Sequence, residues 1–294
     1  MATAGSTDNR SNAVLAIMPM NDAHFRKLGE VIYQVCGIRL NDSKKVMLES
    51  RLAKRLKVLG MKSYKDYCDY LFSPEGRDAE LVDMIDMVTT NKTDFFREAA
   101  HFDFLRRKVL PEFSRTCGTA TNRKLMVWSA GCSTGEEPYT LAMVLNDYAE
   151  VHRGFEYVIL ATDISTRVLD VAKTGIYREE QVTPVPQDFK KKYLLRGKER
   201  HIGKVRVVPE LRDRIRFRRL NFLEGDFGMR EPLDIVFCRN VIIYFDRPTQ
   251  EKLIARFSSH MIPGGYLFMG HSETLNGMRV PFVSVAPTVY RKEL

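Results

Sequence analysis

The sequence predicts an all-α N-terminal domain followed by an α/β domain built on a mostly parallel, doubly wound sheet. Three observations carry this expectation. From Asn21 to about Val88, apolar residues recur three and four apart, the spacing of one helix face. After Phe102, strand-like runs alternate with helix-like runs: LMVWSAG then EEPYTLAMVLNDYAEVH, and YVILATDI then STRVLDVAKTG. Those strand runs are apolar throughout, as strands covered on both faces are.

Along the chain, residues 1–20 are expected to be a disordered tail, because MATAGSTDNRSN is small and polar. The apolar AVLAIMPM that follows is too short to cross a bilayer and lacks a cleavage site, so no export signal is expected. DAHFRKLGEVIYQVCGI, SKKVMLESRLAKRLKVLG, SYKDYCDYLFS and AELVDMIDMVTT are amphipathic helices, the second ending at Gly60. They define a helical domain over 21–88. Residues 89–101 form an interdomain segment, and 102–294 form the α/β domain. Its later elements are IRFRRLNF, LDIVFCRNVIIY, the helix RPTQEKLIARFSSHM, and GYLFMGHSE facing FVSVAPTVYRKE as an antiparallel pair. Residues 188–214, basic and broken by glycine, are expected to be a small β-subdomain inserted on the sheet.

Composition narrows the function classes. Apolar residues make up 44% and charged residues 28%, ordinary for a soluble globular chain. The net charge of +9 calls for an acidic partner without naming its kind. Five cysteines at 36, 68, 117, 132 and 238 form no CxxC pair, which suits reduced thiols in a cytoplasmic protein. The six histidines show no HExxH and no close pair in sequence, so no metal is expected.

The turn after LMVWSAG is where a doubly wound sheet binds its ligand. Here GCSTGEEP has neither the Gly-Lys-Ser/Thr of a P-loop nor the GxGxxG of a dinucleotide site. Glu136 and Glu137 would repel a pyrophosphate by several kcal/mol at close range, taking an effective dielectric constant of about 20. They would welcome a cation or a hydroxyl donor. Asp163 closes the second strand, where an acid grips a ribose diol in such sheets. An adenosyl ligand without phosphates fits this set, and S-adenosylmethionine, with a cationic sulfonium and ammonium, fits it well. The blander reading is that Glu136 and Glu137 favour a helix N-terminus and Asp163 caps the next helix. Between the two acids of the pair, Glu137 is the expected ligand contact and Glu136 the helix-start support.

Five segments extend the reading: TTNKTDFFRE, SAGCSTGEEPY, ATDIS, IVFCRNVIIYFD and GGYLFMGHSE. Together they resemble the bacterial chemotaxis receptor glutamate O-methyltransferases, the CheR family, from about Asn21 to the C-terminus. The resemblance implies a Rossmann-like S-adenosylmethionine-dependent methyltransferase domain with a small β-subdomain insertion, preceded by an all-α domain. It implies methyl transfer to glutamate carboxylates of chemoreceptors. By motif match, Asn91, Thr93 and Arg97 would contact the cofactor from the interdomain segment, Glu137 and Asp163 from the sheet, and Asn221 and Phe222 near the adenine. Arg239 and Asn240 would approach from the fourth strand, with Tyr244 near the transferring methyl. A glutamate carboxylate is already ionised at neutral pH and needs no general base, so Arg97 and Tyr244 are the expected catalytic holders of the acceptor.

The resemblance also implies that the basic run KKVMLESRLAKRLK docks the acidic methylation helices of a receptor through Arg51, Lys54 and Arg55. The alternative is a solvated helix face. Some relatives grip a receptor's C-terminal peptide through a glycine-rich loop of the β-subdomain, but here RGKERHIG places Glu199 and Arg200 in that loop. His101 and His271 are expected to be packing residues, and Cys132 and Cys238 buried thiols. No nucleic-acid partner is expected: the place of a base methyltransferase's [DN]PP[YF] is taken by RNVIIYF. A monomer without membrane insertion completes the expectation; a non-enzymatic adaptor is the remaining rival.

Overall fold

The computed structural model describes residues 17–115 and 123–293. Most of the expected tail and Cys117 lie outside that range. The chain divides into two compact units, Met1–Glu30 with Leu40–Val88, and Val31–Arg39 with Thr89–Leu294. The first unit ends at Val88, and residues 31–39 group with the later unit.

The first unit is helical: α1 (Asp22–Cys36, whose last turns belong to the second unit), α2 (Lys45–Val58), α3 (Tyr64–Leu71) and α4 (Pro74–Val88). Leu48, Leu52 and Leu56, four apart on α2, are fully buried. Ser63 starts α3 by accepting the Asp66 N–H. Two phenols tie the helices together: Tyr64 donates to the Glu49 carbonyl at 2.7 Å, and Tyr67 to the buried Glu80 carboxylate at 2.9 Å.

The second unit continues with α5 (Ala100–Phe104), a π-helical turn, and α6 (Leu110–Phe113). Then come β1 (Leu125–Ala130), α7 (Glu136–Val151), β2 (Tyr157–Asp163), α8 (Thr166–Thr174) and β3 (Ile176–Arg178). These lead into α9 (Gln187–Tyr193), β4 (Leu194–Arg196), β5 (Lys204–Val207), α10 (Pro209–Arg212) and β6 (Ile215–Arg219). The chain closes with β7 (Leu233–Cys238), α11 (Arg247–His260), β8 (Met261–Met269), β9 (Phe282–Ala286) and β10 (Val289–Lys292). The large sheet runs β6-β2-β1-β7-β8-β10-β9. Its first five strands are parallel and the last two antiparallel.

Side chains alternate between two buried clusters along each central strand. Val127, Ile235 and Phe237 join one with Leu141, Leu145 and Phe102. Trp128, Val236 and Cys238 join the other with Leu253, Ile254 and Phe257 of α11. Both faces of β1 and β7 are thus covered, which is why these strands read as unbroken apolar runs. The strand order reverses between β1 and β7, so the carboxyl ends of those strands diverge into a crevice.

Three expectations need adjustment. The small sheet, ordered β3-β5-β4, begins at Ile176, before the expected span of 188–214, and ends at Val207. Gly175 at φ +62 ends α8 and turns directly into β3, a strand too short to show a period. Residues 209–212 are a helical turn leading to β6. The run FVSVAPTVYRKE is two strands: Pro287 has no N–H to donate to a ladder, and β10, rather than the whole run, pairs with β8. Finally, β7 stops at Cys238, and the apolar NVIIY that looked like its continuation forms a loop and a 3₁₀ turn at Ile242–Tyr244.

Candidate active site

A cleft with about 880 Å³ of empty space, part of it continuous with solvent, opens at the carboxyl ends of β1, β2 and β7. Every residue lining it belongs to the second unit.

The turn after β1 supplies Gly131, Ser133 and Glu137. Gly131 is at φ +83, and a Cβ there would lie 2.5 Å from Val241. Gly135, at φ +99, faces Tyr177 and Ala172 instead, with a Cβ position 2.8 Å from the Tyr177 hydroxyl. The glycines thus admit neighbouring protein as much as a ligand. Tyr177, from the small sheet, donates to the Thr134 carbonyl at 2.7 Å and fixes the turn. Glu136 takes a 2.6 Å hydrogen bond from Thr134, does not line the cleft, and is pushed upward in pKa by burial.

Glu137 is held on both oxygens: Ser129 donates to Oε1 at 2.7 Å, and Arg239 Nε to Oε2 at 2.7 Å. Arg239 Nη1 also donates to the Arg97 carbonyl at 2.6 Å and lies 3.4 Å from Glu98. Two carboxylates, Glu137 and Glu98, thus share one guanidinium beside the cleft. Asp163 ends β2 with its oxygens accepting the N–H groups of Ser133 (2.8 Å) and Ser165 (2.9 Å). Each Glu137 oxygen has a second lone pair, so this acid keeps acceptor capacity.

Asn91, Thr93 and Arg97 reach the cleft from the segment between α4 and α5. Arg97 staples that segment by donating to the Lys92 carbonyl at 3.0 Å, and Ser133 Oγ donates to the Asn91 carbonyl at 2.8 Å. Phe95 packs edge-on against Tyr177 with ring centres 4.9 Å apart. Asn221 and Phe222 follow β6, and Asn221 donates to the Val35 carbonyl at 2.6 Å. That bond draws residues 35–38 to the cleft, where Cys36 and Ile38 form part of the wall. Asn240 and Tyr244 also line the cleft, with the Tyr244 carbonyl accepting the Arg39 N–H at 3.2 Å. All ten expected cofactor and catalytic positions therefore line one cleft.

The backbone here is unusual. Among non-glycine residues, Phe96, Glu98, Ser133 and Asn240 have φ between +49 and +59. Left-handed non-glycine residues cluster where surrounding structure over-determines them, commonly at functional sites.

Sequence reading missed several contributors. Cys36 and Ile38 lie over 50 residues before the nearest other cleft segment, with no local signal of their role. Glu273 accepts four backbone N–H groups from the loop after β7 and from Gly270; its place in the GHSE run was the available hint. His101 and His271, far apart in sequence, have ring centres 5.5 Å apart and meet Glu98. A metal-like cluster thus exists in space, but Arg239 Nη1 stands 3.3 Å from His101 Nδ1 and already supplies the cation. Burial, with Arg239 second, pushes the His101 pKa down to about 4. Cys132 and Cys238 are buried thiols with pKa pushed well up by desolvation.

The expected docking face on α2 is rearranged. Arg55 makes a two-pronged bond to Glu80 (2.9 and 2.6 Å) and an ion pair with Asp83. Arg51 donates to the Val88 carbonyl. Both arginines are committed within the helical unit, because their position one turn apart puts them beside the leucine stripe that faces α4. The exposed stripe of α2 is Val46, Ser50, Lys54, Lys57 and Val58.

With this geometry in place, comparison with known families is decisive. Residues 91–291 match the model described as CheR methyltransferase, SAM binding domain, and residues 23–89 match its all-alpha domain. The chain belongs to the CheR family. It is 41% identical over 292 residues to a chemotaxis protein methyltransferase of Klebsiella aerogenes, covering 98% of this chain and 97% of that protein. It is 40% identical over 267 residues to one from Borreliella burgdorferi, at 90% and 93% coverage. A third, from Escherichia coli, is 40% identical over 273 residues, at 93% and 92% coverage. The second unit is therefore the S-adenosylmethionine-binding domain of a CheR methyltransferase, and the first is its all-α partner domain. Among the described residues, no helix is long and apolar enough to cross a membrane.

Proposed function

We propose that this CheR chain transfers a methyl group from S-adenosylmethionine to glutamate carboxylates on the cytoplasmic helices of chemoreceptors, forming glutamyl methyl esters. One observation carries the reading above the rest: the cleft at the strand-order reversal joins Glu137 and Asp163 to Arg97, Asn240 and Tyr244. Its acids suit a cationic, hydroxylated ligand, and its guanidinium and phenol suit an anionic acceptor.

S-adenosylmethionine supplies a methyl group on a sulfonium centre, which leaves as a neutral thioether when the methyl moves. The chain's residues do the rest. Asp163 and Glu137 accept from the ligand's hydroxyls and cationic end. Asn221 and Phe222 flank its base. Arg97 and Tyr244 hold the incoming carboxylate by charge-assisted and hydroxyl hydrogen bonds, stripping it of water and setting it in line with the methyl. No proton is taken in this step, since the acceptor is already ionised.

The test uses methyl-labelled S-adenosylmethionine with chemoreceptor membranes. Label on the receptor band that is released as volatile methanol by base supports the reading. Base-stable label, label on RNA, or none contradicts it. Arg97→Ala and Tyr244→Phe are expected to fold normally and to lose transfer by roughly a hundredfold, the size of one lost transition-state donor. Full turnover in either variant removes that residue from the mechanism.

A further inference from the structure

The loop carrying Arg239, Asn240 and Tyr244 is held by a carboxylate outside the cleft. Asn240 adopts φ +59, a left-handed conformation that asparagine tolerates better than most residues. Gly270 presses close beside it: a Cβ there would stand 2.5 Å from Asn240 Nδ2 and 2.8 Å from its backbone N. Around this turn, the N–H groups of Asn240 (2.8 Å), Val241 (2.9 Å), Ile242 (2.9 Å) and Gly270 (2.7 Å) all donate to the Glu273 side chain. Glu273 is 3% exposed and does not line the cleft. Four donors on one carboxylate over-determine the loop. The consequence appears at Asn240, whose Oδ1 is buried yet unpartnered. An unmet buried acceptor is costly and persists only where its surroundings force it.

We infer that Glu273 is a positioning residue: its carboxylate locks 240–242 in the turn that sets Asn240 in the wall of the cleft, beside the bound methyl donor. The inference rests on the reading of the cleft as the S-adenosylmethionine site. Glu273 acts through Asn240 and touches neither ligand nor acceptor.

Calorimetric titration with S-adenosylhomocysteine, run beside thermal unfolding of each variant, tests this. Glu273→Gln keeps the shape but turns an amide N–H₂ toward backbone donors, so the loop relaxes. Affinity should fall by roughly tenfold at a temperature where the variant is fully folded. Asn240→Ala should cause a similar fall, and adding it to Glu273→Gln should cost less than the product of the two, since both act through one contact. Gly270→Ala, which displaces Asn240 while leaving the carboxylate in place, should also weaken binding, and it serves if Glu273→Gln fails to fold. A role in stability alone would lower the unfolding midpoint and leave the affinity of the folded protein unchanged. Wild-type affinity in the folded variants, or losses that multiply independently, overturns the inference. If the wild-type protein itself fails to bind S-adenosylhomocysteine, the reading of the cleft fails first, whatever the variants show.

Discussion

At the scale of single residues, the site is built by pairing groups whose charges would be costly alone. Arg239 is buried yet bonded to Glu137, the Arg97 carbonyl and Glu98, so its desolvation is offset by several acceptors. His101 beside it stays neutral, its pKa pushed from 6.5 to about 4 by burial and then by that guanidinium. Its folded-state pKa is depressed, so the unfolded chain takes up the proton first as pH falls. Stability is therefore whole above about 6.5 and declines as pH drops toward about 4. The loss is on the order of 3 kcal/mol for a shift of this size. Glu136 and Glu273, whose pKa values burial raises, act in the opposite sense. The measurement is therefore a comparison: denaturant unfolding of wild type and His101→Gln across this range. The variant should show the shallower fall towards acid, and equal slopes would remove His101 from the acid response.

At the scale of elements, α2 separates sequence from structure most clearly. Its basic run suggested one docking face, but the leucine stripe at 48, 52 and 56 turns Arg51 and Arg55 toward α4 and leaves Lys54 and Lys57 outward. Arg55→Glu strands the nearly buried Glu80 beside a like charge and should cost about 3 kcal/mol or more. Lys54→Glu with Lys57→Glu should leave the unfolding midpoint nearly unchanged and lower receptor methylation. Thermal unfolding and the labelled-methyl assay check both; a stable Arg55→Glu protein would contradict the assignment. The large sheet was legible because β1, β2 and β7 are apolar on both faces, and the turn acids stood where its strands end. Less legible were features set by tertiary contact. The strand β3 is three residues long, β7 halts where Glu273 captures its loop, and Cys36 reaches the cleft through Asn221. None of these leaves a periodic trace in the sequence.

At the scale of the whole molecule, two opposite charges coexist. The chain carries a net +9, suited to an acidic acceptor surface, while Glu137 and Asp163 set two carboxylates beside the ends of β1 and β2 in a cleft that Lys92, Arg97 and Arg239 also line. Those two acids are what distinguishes the site from the phosphate cradle that its glycine turn resembles. The direct test is competition binding of S-adenosylmethionine against adenosine triphosphate at one protein concentration. Repulsion from Glu137 and Asp163 at the strand ends predicts that the triphosphate binds about a hundredfold more weakly or worse, the equivalent of a few kcal/mol. Displacement of S-adenosylmethionine by the triphosphate at comparable concentration would contradict the account.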